Sequence, residues 1–149
     1  MVLDWLQRNR VQVRITPRRA TKLGDYRTPV GGGPARISVN RDLNPYAFLV
    51  TLVHEFAHQI DQDKGVADGR PWLPGRARRR RWAAVMDEAF ARLRQQPSVL
   101  IGAYAATAPA EFFAVVSELF FEQPQALAQA EPAVYRELAL LYQVHPLAW

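Results

Sequence analysis

The chain has no cysteine among its 149 residues, which excludes disulfides and any metal site built on thiolates. Histidine is scarce too, with three in all. No apolar run is long enough to span a membrane, since the most apolar stretch, residues 103–121, is broken by Pro109, Glu111 and Glu118. The N-terminus, Met1-Val2-Leu3-Asp4-Trp5, shows no charged leader followed by a long apolar segment, so no secretory signal is visible. These absences together predict a protein of the reducing cytoplasm with no membrane partner. Repeats and low-complexity linkers are missing as well. What is present is ordinary for a globular protein: 49% hydrophobic and 22% charged residues, in a length that fits one domain over residues 1–149. Lysine and arginine outnumber aspartate and glutamate, 19 to 14, so the net charge is +5. That excess raises the question of a nucleic-acid partner.

The histidines are not spread evenly. Two of them fall in His54-Glu55-Phe56-Ala57-His58. On an α-helix, residues four apart share a face, with Cβ atoms about 5–6 Å apart. Two imidazoles so placed can both reach one zinc ion at about 2.0–2.1 Å. Glu55, one residue on from His54, is rotated toward the open side of such an ion. There it can take a proton from a zinc-activated water, which is the ligand-and-base set of a zinc peptidase. The competing reading is a helix with two incidental surface histidines.

The surrounding pattern supports a helix. Asn44 is a good N-cap and Pro45 suits the first helical position. Phe48, Leu49, Leu52, Val53, Phe56 and Ile60 recur at helical spacing and predict a broad apolar face that buries this helix centrally. Upstream, residues 2–8 suggest a short helix, and Val11, Val13 and Ile15 alternate as in a half-buried strand ended by Pro17. Residues 18–34, closing in Gly31-Gly32-Gly33-Pro34, read as a loop or an irregular hairpin before a second strand around Ile37 and Val39. Downstream, a Gly- and Pro-rich loop over residues 64–75 could border a substrate cleft. Trp82, Met86, Ala89, Phe90 and Leu93 then mark an amphipathic helix. A further helix opens at Pro109 and runs through Phe121, with Pro124 after it, and the last spans about residues 132–142 with Val134, Leu138 and Leu141 inward. Strands come early and helices late. The order predicts an α+β fold, a small N-terminal β-sheet followed by a mostly helical body that carries the double-histidine helix.

A catalytic zinc commonly takes three protein ligands and keeps one position open. The remaining histidine, His145, stands before Pro146 in a terminal segment and reads as a surface or C-capping residue. Glu88 lies among arginines on an amphipathic helix and reads as solvated. Glu111 opens an otherwise apolar helix, beside Phe112, Phe113, Val115 and Val116. A carboxylate there needs a partner. The helix's own N-terminus and a metal ion both qualify, and periodicity does not choose between them.

The stretch Ile101-Gly102-Ala103-Tyr104-Ala105-Ala106-Thr107-Ala108-Pro109-Ala110-Glu111-Phe112-Phe113-Ala114-Val115 resembles the C-terminal hallmark of the Mlc titration factor A family of zinc peptidases. His54-Glu55-Phe56-Ala57-His58-Gln59-Ile60-Asp61 resembles that family's zinc helix, and Ser117-Glu118-Leu119-Phe120-Phe121-Glu122-Gln123-Pro124 is similar too. The likeness covers about residues 53–147. It implies a zincin-like fold, one zinc ion held by His54, His58 and Glu111, and Glu55 as general base. Tyr104 corresponds to an active-site tyrosine expected to stabilise the oxyanion. Peptide or protein substrates are implied, with aminopeptidase action and binding of a transcriptional repressor as further expectations.

The first half instead resembles SprT-like zinc peptidases, through Lys22-Leu23-Gly24-Asp25-Tyr26-Arg27, Arg36-Ile37-Ser38-Val39-Asn40 and Leu43-Asn44-Pro45-Tyr46-Ala47-Phe48-Leu49. Those proteins usually draw a third histidine from downstream, and no histidine here lies at a suitable distance. Two rivals to the peptidase follow: a repressor-binding regulatory module with vestigial activity, and a SprT-like DNA-associated protease. The basic run Arg76, Arg78, Arg79, Arg80 and Arg81 bears on the second. Without interleaved aromatics or a nucleic-acid motif, it reads as a solvated helix face. Asp61 and Glu118 are open to two readings, as carboxylates supporting metal-bound histidines or as solvated surface acids.

Overall fold

Asn44 acts as the N-cap its position predicts. In the computed structural model, which describes residues 12–16, 23–27 and 34–149, its Oδ1 accepts the Ala47 N–H at 2.8 Å and its carbonyl accepts the Phe48 N–H at 2.9 Å. Helix α1, Pro45–Gln62, starts there. Asn40 has already turned the chain out of the preceding strand by accepting the Asp42 N–H at 3.0 Å. The chain divides into two compact units, Met1–Gln59 and Ile60–Trp149, so α1 contributes to both.

The first unit carries strands β1 (Gln12–Thr16), β2 (Gly24–Arg27) and β3 (Arg36–Asn40), ordered β1-β3-β2. β3 pairs parallel with β1, Val13 opposite Ile37, and antiparallel with β2, Tyr26 opposite Ile37. Ile37 and Val39 are fully buried, as alternation on a central strand demands. β1 is a strand as its alternation predicts, but Val13 and Ile15 are exposed rather than half-buried. β2 lies inside the stretch read as a loop or irregular hairpin and supplies the hairpin's first arm. The helix expected over residues 2–8 falls outside the described residues.

The second unit is helical: α2 (Arg76–Gln95), α3 (Pro109–Glu122), α4 (Pro124–Ala130) and α5 (Pro132–Tyr142), with short 3₁₀ turns at Tyr104–Ala106 and Pro146–Ala148. Trp82, Met86, Ala89 and Leu93 form the buried stripe of α2, and Phe90 is only half-buried. Phe112, Phe113, Val116, Leu119 and Phe120 of α3 meet Leu127 of α4 and Val134 and Leu138 of α5 in the core. Pro124, expected only to end α3, also starts α4, because a proline at the first helical position loses no bond. Tyr142 Oη donates to Ser117 Oγ at 2.9 Å, and Ser117 Oγ donates to the Phe113 carbonyl at 2.8 Å. This bonded relay ties α5 to α3, and burial pushes the Tyr142 hydroxyl well above its ordinary pKa. Phe120 sits against Phe121, Tyr135 and Tyr142, with centroids 5.0 to 5.7 Å away. Phe120→Ala is expected to cost about 3–5 kcal/mol, read as a lower urea midpoint at unchanged slope.

The basic run departs from its expected role. Arg78 Nη2 donates to the Leu140 carbonyl at 2.6 Å, and Arg81 Nε meets Glu137 Oε1 at 2.6 Å. Arg79 Nη1 donates to the Leu73 carbonyl at 2.8 Å. Leu140 lies in the last turn of α5, whose carbonyls lack helical partners and carry partial negative charge. The start of α2 therefore clamps the end of α5, and these three arginines are not merely solvated. Among the described residues no helix is long and apolar enough to cross a membrane.

Candidate metal centre

Helix α1 does not bury the face its apolar pattern predicts. Of that set Phe56 is buried, while Leu49 is 60% exposed and the others are half-buried. Buried instead are Thr51, Glu55 and Gln59, one below another along the helix, together with Ala57 and the wholly inaccessible Asp61. Polar groups withdrawn from water cost free energy unless they are bonded.

Thr51 shows how the stripe is accommodated. Its hydroxyl donates back to the Ala47 carbonyl at 2.8 Å, leaving the methyl group to face β2. There Gly24 approaches so closely that a Cβ on it would stand 2.6 Å from Thr51 Cγ2 and 3.0 Å from Glu55 Oε1. Only a glycine lets β2 lie across the Thr51–Glu55 face. No motif in the sequence marks Gly24 as part of the site, yet a lone glycine within a strand is itself a signal of close backbone approach.

On the adjoining stripe stand His54 and His58. Their Nε2 atoms are 3.1 Å apart, with ring centroids 4.7 Å apart and planes crossed at 77°. Two nitrogens sharing a tetrahedral ion at about 2.0–2.1 Å stand about 3.3–3.4 Å from each other, so the pair is spaced for one ion. One ligand atom from each of His54, His58 and Glu111 lies within 4.8 Å of the others, and all three residues are half-buried. Two imidazoles and a carboxylate make a donor set that could hold a metal ion. Glu111 occupies the first turn of α3, whose N-cap Ala108 offers no side-chain bond. The helix dipole and a cation can both act on this acid, so the two partners are compatible.

Tyr104 lies on the 3₁₀ turn ahead of α3. Its carbonyl accepts from Thr107 Oγ1 at 2.7 Å and from Thr107 N at 3.1 Å, while the residue as a whole is 58% exposed. His145 is exposed, in keeping with the surface reading; it stands at the N-cap of the terminal 3₁₀ turn with no side-chain cap bond, and Gln143, not His145, is the C-cap of α5. Glu88 is exposed and pairs with Arg92 at 3.0 Å, as a solvated acid does. Asp61 is not the solvated helix-end acid that one reading allowed. Its Oδ2 accepts the Gly69 N–H at 2.7 Å, and its Oδ1 is buried without a hydrogen-bond partner. Burial raises its carboxyl above the ordinary range, against the lowering effect of that same bond.

Residues 39–143 match the family of glucose-regulated metallo-peptidase M90. The chain belongs to the M90 metallo-peptidases. The M90 match opens at Val39, so it takes in Leu43-Asn44-Pro45, part of the stretch with the SprT-like resemblance, along with the whole of α1. Among curated relatives, an uncharacterized protein of Synechocystis sp., slr2042, is 40% identical over 101 residues, 64% of this chain and 36% of its own length. Mlc titration factor A of Edwardsiella ictaluri is 37% identical over 103 residues, 64% of this chain and 39% of its own length. The protein of that name from Serratia proteamaculans is 36% identical over 104 residues, 65% of this chain and 39% of its own length. The chain thus spans little more than a third of these relatives.

Proposed function

We propose that this M90 chain is a zinc-dependent metallopeptidase of the zincin type, a single catalytic domain acting in the cytoplasm on peptide or protein substrates. His54, His58 and Glu111 hold one zinc ion, and Glu55 is the general base. The reading is carried by the gathering of those three donors within 4.8 Å in a member of a metallo-peptidase family. When bound, zinc supplies Lewis acidity, bringing the pKa of water down to about 7 and polarising a carbonyl oxygen. Glu55 accepts the proton of the attacking water and returns it to the departing amine. Its buried setting against Gly24 and Thr51 limits the rotamers it can adopt and keeps it oriented. Tyr104 donates its hydroxyl hydrogen to the oxygen that gains charge as the carbonyl becomes tetrahedral. Its exposure leaves the ring accessible to substrate. Aminopeptidase action is the finer form of this proposal.

Metal analysis combined with two substrates tests it. We expect one zinc per chain, hydrolysis of an aminoacyl chromogenic amide in excess of an N-blocked peptide, and loss of both activities on chelation with recovery on adding zinc. Zinc-saturated protein that leaves both substrates intact would sink the enzyme reading. It would favour the second one, supported by the relatives' name: a module that sequesters a transcriptional repressor, its metal serving only structure.

A further inference from the structure

Gly69 is held on every side. Its N–H is taken by Asp61 Oδ2 at 2.7 Å, its carbonyl accepts Trp82 Nε1–H at 2.9 Å, and its Cα presses on Pro109. A Cβ there would stand 2.5 Å from the Pro109 carbonyl oxygen and 2.9 Å from its carbon, and φ is +74°. Both the space and the backbone conformation therefore require glycine. Trp82 is itself fixed, fully buried and edge-on to Phe113 at 5.6 Å.

The ends of this chain of contacts are what give it meaning. Asp61 lies in the last turn of α1, three residues beyond His58 and on the same side of the helix. Pro109 is the first residue of α3, two before Glu111. We propose that Asp61 and Gly69 form a positioning latch that sets the first turn of α3, and with it the Glu111 carboxylate, against the end of the histidine helix. Asp61 is not a ligand in this scheme. It fixes a loop glycine, and the glycine fixes the helix start. A carboxylate withdrawn wholly from water carries a desolvation cost that an apolar side chain of similar size would avoid, so its place here is set by the bond it makes to Gly69. The inference rests on the metal-site reading above and names the device that holds the third donor in place.

The test uses the full chain and reads metal binding rather than turnover. Zinc affinity is measured by competition with a chromophoric chelator, and ligand geometry by the visible spectrum of the cobalt(II)-substituted protein. Asp61→Leu and Gly69→Ala are expected to weaken zinc by about 10–100-fold, the usual effect of removing an outer-shell support, and to alter the cobalt bands. Asp61→Asn keeps an acceptor for the Gly69 N–H and is expected to bind and absorb like the parent. Circular dichroism of the apo forms shows which variants fold, and Gly69→Ala decides the matter if Asp61→Leu does not. A folded Gly69→Ala or Asp61→Leu with parental affinity and spectrum would overturn the latch alone. A parent that takes up no zinc in the competition overturns the metal reading, and the latch with it.

Discussion

Glu55→Gln is expected to lower kcat/KM for peptide hydrolysis by about 10²–10⁴-fold while zinc content stays at the parental level. The side chains match in size, so the amide fits the space beside Gly24 and Thr51 that the carboxylate fills. What it lacks is the capacity to carry the proton from water to amine. Because Glu55 is not a ligand in the proposed site, metal analysis of the variant separates loss of the base from loss of the ion. A variant as active as the parent removes Glu55 from the mechanism. One that loses zinc as well makes Glu55 part of the metal's support rather than a base.

Glu111→Ala is the second large effect expected. Zinc affinity should fall by more than the roughly 10–100-fold typical of an outer-shell change, and hydrolysis at limiting zinc should disappear. Excess zinc is expected to restore at most part of the rate, since two imidazoles alone leave the ion loosely placed. Glu88→Ala is the control: that acid is exposed, pairs with Arg92 across one helical turn, and is not among the three donors of the candidate site. If Glu111→Ala holds zinc and cleaves peptides as the parent does, the third ligand lies elsewhere.

The features legible in the sequence were those set by local rules. Asn44 and Pro45 announce the start of α1, and the spacing of Trp82, Met86, Ala89 and Leu93 announces the inner face of α2, because caps and a 3.6-residue period are properties of one segment. Strand β2 was hidden. Its residues, Gly24-Asp25-Tyr26-Arg27, have little apolar content, and it exists because β3 offers a partner, with Tyr26 opposite Ile37. The exposure of β1's Val13 and Ile15 was likewise invisible, since alternation says which residues share a face and not what covers that face. At the candidate site, His54 and His58 could be paired from spacing alone. Glu111 could not: an acid at the head of an apolar helix satisfies a dipole as well as a cation, and only a family resemblance pointed it at the histidines before the structure brought it near them. The polar stripe of Thr51, Glu55 and Gln59 misled in a different way. Apolar periodicity finds the face that apolar burial alone would choose, and on α1 the face withdrawn from water is largely the polar one of Thr51, Glu55 and Gln59.

The grip of α2 on α5 governs how any question about polyanions should be put to this protein. Stripping charge from Arg78 or Arg81 would remove a link between α2 and α5, by freeing the Leu140 carbonyl or by orphaning the nearly inaccessible Glu137 carboxylate. Weaker retention on heparin or DNA would then report a loosened fold as readily as a lost contact. Arg76 and Arg80 project into solvent, and no hydrogen bond or ion pair joins either to the described residues. Reversing the sign of those two alone leaves the helix pair intact, so the salt dependence of such a variant speaks for the surface itself.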